Sequence, residues 1–184
     1  CALNVHAHSS VKPPKLMSVT TDILQSWVHP RRIFRRRLGD APREDRALAV
    51  LMAACGLIFV ARWPALAREA QLSAGQPDAP ELQALLGINL FAMMLMAPVI
   101  FYALAGLGHL VARALGGKGS GYSSRMALFW ALLAVAPLML LQGLVAGFVG
   151  PGSALTATGA LVGLGFLGLW LIFLHEAHRK AQAT

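Results

Sequence analysis

The chain has 184 residues, of which 57% are hydrophobic and 13% charged, and its mean hydropathy is +0.60. A soluble domain carries about 25% charged residues, yet the 16 Lys and Arg here outnumber the 8 Asp and Glu and leave a net charge of +8. So apolar a composition excludes disorder and an ordinary soluble enzyme, and two cysteines, Cys1 and Cys55, are too few for a disulfide framework, which leaves an all-α integral membrane protein.

Residues 1–16 show no apolar period and run into Met17-Ser18-Val19-Thr20, so they are expected to be an upstream extension with the start of the protein at Met17. A lipid-anchored Cys1 would place this end outside, against the charge distribution described below. No apolar core of about 7–15 residues follows the early basic residues, so no secretory signal is read here.

Residues 17–44 form a basic juxtamembrane segment. Ile23, Leu24, Trp27, Val28, Phe34 and Leu38 recur at helical spacing, with Arg31, Arg32, Arg35, Arg36 and Arg37 between them. Pro30 splits the segment into two short helices and opens the second, where its missing N–H costs little. Trp and Phe beside clustered Arg suit an amphipathic helix lying among lipid headgroups, and each Arg near an anionic leaflet adds about 1 kcal/mol. Trp27, Arg31, Arg32, Phe34, Arg35, Arg36 and Arg37, together with Lys118, are thus expected to contact anionic lipids or an acidic membrane or cytoplasmic protein. Nucleic acid is not expected as a partner, because no folded reader domain accompanies the basic run.

Residues 45–175 hold the transmembrane domain. A crossing helix needs about 20 apolar residues, and gaps between charges predict four spans at about residues 47–63, 85–107, 126–149 and 154–174. Arg62 and Trp63 belong at the interface of the first, and Pro64 is expected to end it. Gly150-Pro151-Gly152-Ser153 divides the long uncharged run 126–175 into a tight hairpin. Residues 176–184 form a tail. Setting aside Lys12 and Lys15, twelve Lys and Arg fall on one side of these spans and two, Arg62 and Arg68, on the other. Positive charge favours the cytoplasmic side, so both termini are expected there, with the bacterial inner membrane as the location.

Within the spans, Gly143 and Gly147 form one GxxxG pair and Gly159 and Gly163 another. Such spacing lets helices approach closely, either within the hairpin or between copies in a homo-oligomer. Pro98 and Pro137 lie mid-span and are expected to bend their helices. The polar residues Asn89, Gln142, Thr156 and Thr158 are expected to hydrogen-bond across helices. His175-Glu176-Ala177-His178 spaces its histidines three apart, not the four of the zinc-protease signature. With Arg179 and Lys180 following, it is expected to be a polar helix end at the headgroups. Neither a catalytic site nor a metal or other cofactor is expected.

Two segments carry a family resemblance. Pro30 and Phe34 form a Pro-x-x-x-Phe segment before the first span; the loop Gly116-Gly117-Lys118-Gly119-Ser120-Gly121-Tyr122 is followed by Arg125, Trp130 and Pro137 in the next span. In this order the chain resembles the bacterial branch of the Yip family, the Ypt/Rab-interacting membrane proteins, over about residues 25–174. The resemblance implies a multi-pass helical protein with a cytoplasmic N-terminal segment. Eukaryotic members are linked to Rab-type GTPases, vesicle traffic and membrane shaping, and no catalytic residues are established for the family. Five spans are commonly described, against four here, and the acidic, aromatic N-terminal motif of eukaryotic members does not occur in this sequence. GTPase binding is therefore not carried over. The function expected is non-enzymatic: organising the membrane or recruiting partners through a basic cytoplasmic face. The alternative is a small transporter or channel subunit, oligomeric through its GxxxG faces, whose path would require Asn89, Gln142, Thr156 and Thr158 to converge on one cavity.

Overall fold

A computed structural model describes residues 17–38, 42–76 and 78–180, without the side chains of Met17, Ser18 and Lys180. The expected extension 1–16 and the end of the tail lie outside the described residues. The elements are α1 (Met17–Val28), α2 (Pro30–Leu38), α3 (Glu44–Ser73), α4 (Leu82–Phe91), a π-helical turn (Ala92–Met96), α5 (Ala97–Ala114), α6 (Gly121–Phe148) and α7 (Ser153–Lys180), with no strand among the described residues. α4, the π turn and α5 run on as one rod. With α3, α6 and α7 it gives four helices long and apolar enough to cross a membrane.

α6 is the axis of the bundle. It packs against α3, α5 and α7 and also meets both short N-terminal helices. Of its most apolar stretch 56% is buried, against 6% for the α4–α5 rod, most of whose side chains are exposed or half-buried. A helix that is apolar all round belongs inside. The alanines of α6 at positions 127, 131, 134 and 136 are fully buried because they let neighbouring helices come close.

One expectation about prolines changes. Pro64 does not end the first spanning helix: α3 runs on to Ser73, 30 residues or about 45 Å. A membrane helix tolerates proline where neighbours satisfy and accommodate the disturbed turn, and α6 does so by presenting Gly147, where a Cβ would collide with the Pro64 ring. At Pro98 the helix also continues, but the turn before it widens into the π turn Ala92–Met96. Proline's ring clashes with the carbonyl four residues back, here that of Met94, and the wider π turn relieves that contact. Pro137 sits inside an unbroken α6.

The first GxxxG pair lets two helices approach closely, and the neighbour is α3. A Cβ at Gly143 would collide with the Ala61 backbone and one at Gly147 with Pro64, so the pair seats α3 on α6 rather than closing the hairpin. In the second pair, Gly159 faces the Gln142 side chain of α6, while Gly163 has nothing within 4 Å of the Cβ position.

The hairpin itself forms as expected. Gly150, at φ +84°, turns the chain after α6, and Arg68 reaches from α3 to donate to the Gly147 carbonyl at 3.3 Å. A cation there meets the negative end of the α6 dipole.

Candidate functional site at the basic end

The N-terminal helices and the C-terminal end of α7 meet at the end of the bundle rich in Lys and Arg. α1 and α2 are built into the bundle. On α1, Ser26 and Asp22 face inward, 0% and 1% exposed. Ser26 Oγ donates to the Asp22 carbonyl at 2.7 Å and accepts from Trp130 Nε1 of α6 at 3.0 Å. The Asp22 carboxylate takes ion pairs from both Arg36 and Arg37, and the Arg37 guanidinium lies over the Trp130 ring, 4.8 Å from its centroid. On α2, Phe34 is fully buried and stacks on Phe173 of α7 at 5.1 Å, while Arg35 pairs with the buried Glu176.

This corrects part of the expected surface. Phe34 is a packing residue, not a headgroup contact, because Phe173 covers its ring. Arg37 is largely covered, and Arg35 and Arg36, though still exposed, join it in neutralising Asp22 and Glu176, two carboxylates that would otherwise be buried without partners. Trp27 is divided. Its Nε1 donates to the Ala134 carbonyl at 3.0 Å and its ring packs over Gly165, yet the side chain is 40% exposed.

Beside Trp27, Leu24 and Val28 are exposed, and so are Arg31 and Arg32 one turn further on. The outward face therefore combines apolar side chains on α1 with two arginines at the start of α2. Lys118 is exposed as well, in the loop between α5 and α6.

That loop is more than a flexible connection. Gly116, at φ +85°, stops α5 in a Schellman arrangement: its N–H reaches Arg113 O and that of Gly117 reaches Ala112 O, both at 2.9 Å. Ser120 then caps α6 by accepting from Ser123 N at 3.2 Å. Between them lies His178. Its Nδ1 accepts the Gly119 N–H at 2.8 Å, and a Cβ at Gly117 or Gly119 would strike the imidazole. An accepting Nδ1 puts the ring proton on Nε2, which faces Ser124 Oγ at 3.3 Å; that hydroxyl lies 3.2 Å from His109 Nδ1. The His109 and His178 rings stack at 6.0 Å.

The expected polar helix end thus becomes two buried anchors on opposite sides of α7: Glu176 toward α2, and His178 toward the glycine loop. Sequence reasoning missed both. The signals were present, since Glu176 is the one carboxylate in residues 126–184 and two glycines flank Lys118.

The polar residues of the spans do not gather. Gln142 lines a cleft of about 380 Å³ with Arg62, Ala61 and Leu155, without Asn89, Thr156 or Thr158. The Thr156 and Thr158 hydroxyls bond back to carbonyls of their own turn, at Gly152 and Ala154, and so do not reach across helices as expected. Among the described residues no three His, Cys, Asp or Glu side chains stand where they could hold a metal ion.

Four apolar helices around a buried axis, with the charge confined to the ends, define a multi-pass all-α integral membrane protein. The family model of the Yip1 domain matches residues 24–183, and the chain belongs to that family. The match begins within α1, so the docked N-terminal helices are largely part of the family domain. No curated protein matches the chain, and no solved structure does.

Proposed function

We propose that the protein is a non-enzymatic membrane organiser or recruiter that works through a basic face at the cytoplasmic side of a bacterial inner membrane, with both termini on that side. The observation that carries this reading is the outward face of α1 and α2, where Leu24, Trp27 and Val28 stand exposed beside Arg31 and Arg32. The pairing of Arg36 and Arg37 with Asp22 and the stacking of Phe34 on Phe173 hold that face at a fixed place on the bundle. Its apolar side chains suit insertion among headgroups, and its arginines suit anionic lipid or an acidic protein surface. Lys118 adds a third exposed cation from the α5–α6 loop.

The test uses the full chain in proteoliposomes, with anionic vesicles added from outside. Replacing Arg31, Arg32 and Lys118 together by Ala removes three cations at about 1 kcal/mol each, so vesicle capture should fall by roughly 100-fold. Salt should weaken capture by the parent protein in the same direction. Unchanged capture by the triple variant would refute the proposal.

A transporter is less well supported, because the cleft at Gln142 is not lined by Asn89, Thr156 or Thr158, and both Thr hydroxyls bond within their own helix.

A further inference from the structure

α5 and α7 both pack on α6, and at the basic end they leave between them a cleft of about 400 Å³. Its walls are apolar: Val111 of α5 and Leu115 just past its end on one side, Leu171 and Leu174 of α7 on the other. At its mouth stand His175 and Arg179, one turn apart on the same face of α7 and both exposed. Among the described residues no carboxylate lines it, and the nearest in sequence, Glu176, is turned away and paired with Arg35. The floor is fixed, because His178 is held by Gly119 N–H and Ser124.

We infer that this cleft binds a single anionic phospholipid, with the headgroup phosphate at Arg179 and His175 and an acyl chain between Leu115 and Leu171. Three observations converge on that occupant. The cleft lies where the uncharged run of α7 gives way to Arg179, which is the level of the headgroups in a helix that spans the bilayer. Its chemistry changes along its length from apolar to cationic, as a phospholipid's changes from chain to phosphate. Its volume is in the range of small-molecule sites and too small for a helix of another protein. A soluble anion would use the mouth but leave the leucine walls uncovered, and a neutral acyl chain would leave Arg179 without a counter-charge. The site is separate from the Arg31–Arg32 face, which meets a surface and not one molecule.

The experiment is native mass spectrometry of the full chain in mild detergent, titrated with phosphatidylglycerol or with phosphatidylcholine of the same acyl chains. The parent should retain one phosphatidylglycerol in preference to phosphatidylcholine. Arg179→Ala should reduce that retention about five-fold, the effect of one cation near an anionic group, and Arg179→Ala with His175→Ala should reduce it further. Leu171→Trp, which fills the apolar part and leaves the charge untouched, should lower retention of both lipids. Arg31→Ala with Arg32→Ala should leave the retained molecule in place. Excess glycerol phosphate should not displace it. Undiminished retention by both the double variant and Leu171→Trp would overturn the site, and displacement by glycerol phosphate would show a headgroup-only anion site and overturn the lipid assignment.

Discussion

Phe34→Ala is the sharpest probe of whether the N-terminal helices belong to the bundle. Phe34 is fully buried and stacked at 5.1 Å on Phe173, so its truncation removes the main apolar contact between α2 and α7 and leaves the Arg35–Glu176 pair beside a void. Truncating a buried Phe costs about 3–5 kcal/mol, of which the ring stacking contributes about 0.5–1.5 kcal/mol. An undocked α2 can lay Phe34 among headgroups and not in water, so the lower limit, about 3 kcal/mol, is the appropriate figure. That raises the undocked population roughly 100-fold. The assay is thiol labelling at Ile33→Cys, a position 3% exposed, in a background carrying Cys1→Ser and Cys55→Ser. In this background Ile33→Cys should label far more slowly than Leu24→Cys, a position 67% exposed, and adding Phe34→Ala should speed it by about two orders of magnitude. If Ile33→Cys labels as fast as Leu24→Cys before Phe34 is changed, or if Phe34→Ala leaves its rate alone, the docked arrangement is wrong.

Other outcomes follow from single contacts. Gly143→Leu drives a side chain into the Ala61 backbone and should destabilise the protein by about 1–3 kcal/mol, seen as a lower melting temperature in detergent. Gly163→Leu, with open space at the Cβ position, should leave the melting temperature nearly unchanged. His178→Ala removes the acceptor of the Gly119 N–H, so amide exchange at Gly119 should quicken while exchange in the middle of α6 stays slow. Asp22→Asn leaves Arg36 and Arg37 facing a neutral side chain and should also expose Ile33→Cys to labelling, by less than Phe34→Ala does because Arg36 is itself 60% exposed.

The spans were legible because the bilayer is a strict solvent: between Glu81 and Arg113, and between Arg125 and Glu176, no charged side chain occurs, and helices fill both gaps. The hairpin was legible for the same kind of reason, since Gly150 takes a positive φ that other residues avoid. The fate of the amphipathic segment was not. An apolar stripe at helical spacing reads the same whether it faces lipid or protein, and only the fold shows that Phe34 meets Phe173 while Leu24 and Val28 stay exposed. Arginine clusters carry the same ambiguity. Arg31, Arg32, Arg35 and Arg36 are all exposed, yet Arg35 and Arg36, with the more covered Arg37, also pair with the carboxylates Asp22 and Glu176, the latter 141 residues from Arg35 in the chain. Pro64 shows the limit of local rules, because the glycine that makes room for it lies on another helix.

The proposed orientation places the docked N-terminal helices and the α7 end on one basic, inward-facing side of a four-span protein. Single cysteines placed in the cysteine-free background at Arg32 and Arg179 on that side, and at Gln76 and Ser153 on the other, test it most directly with a membrane-impermeant thiol reagent applied to intact cells. Gln76→Cys and Ser153→Cys should label from outside, and Arg32→Cys and Arg179→Cys only after the inner face is opened. Labelling of Arg32→Cys or Arg179→Cys in intact cells would contradict the orientation and, with it, the proposed basic cytoplasmic face.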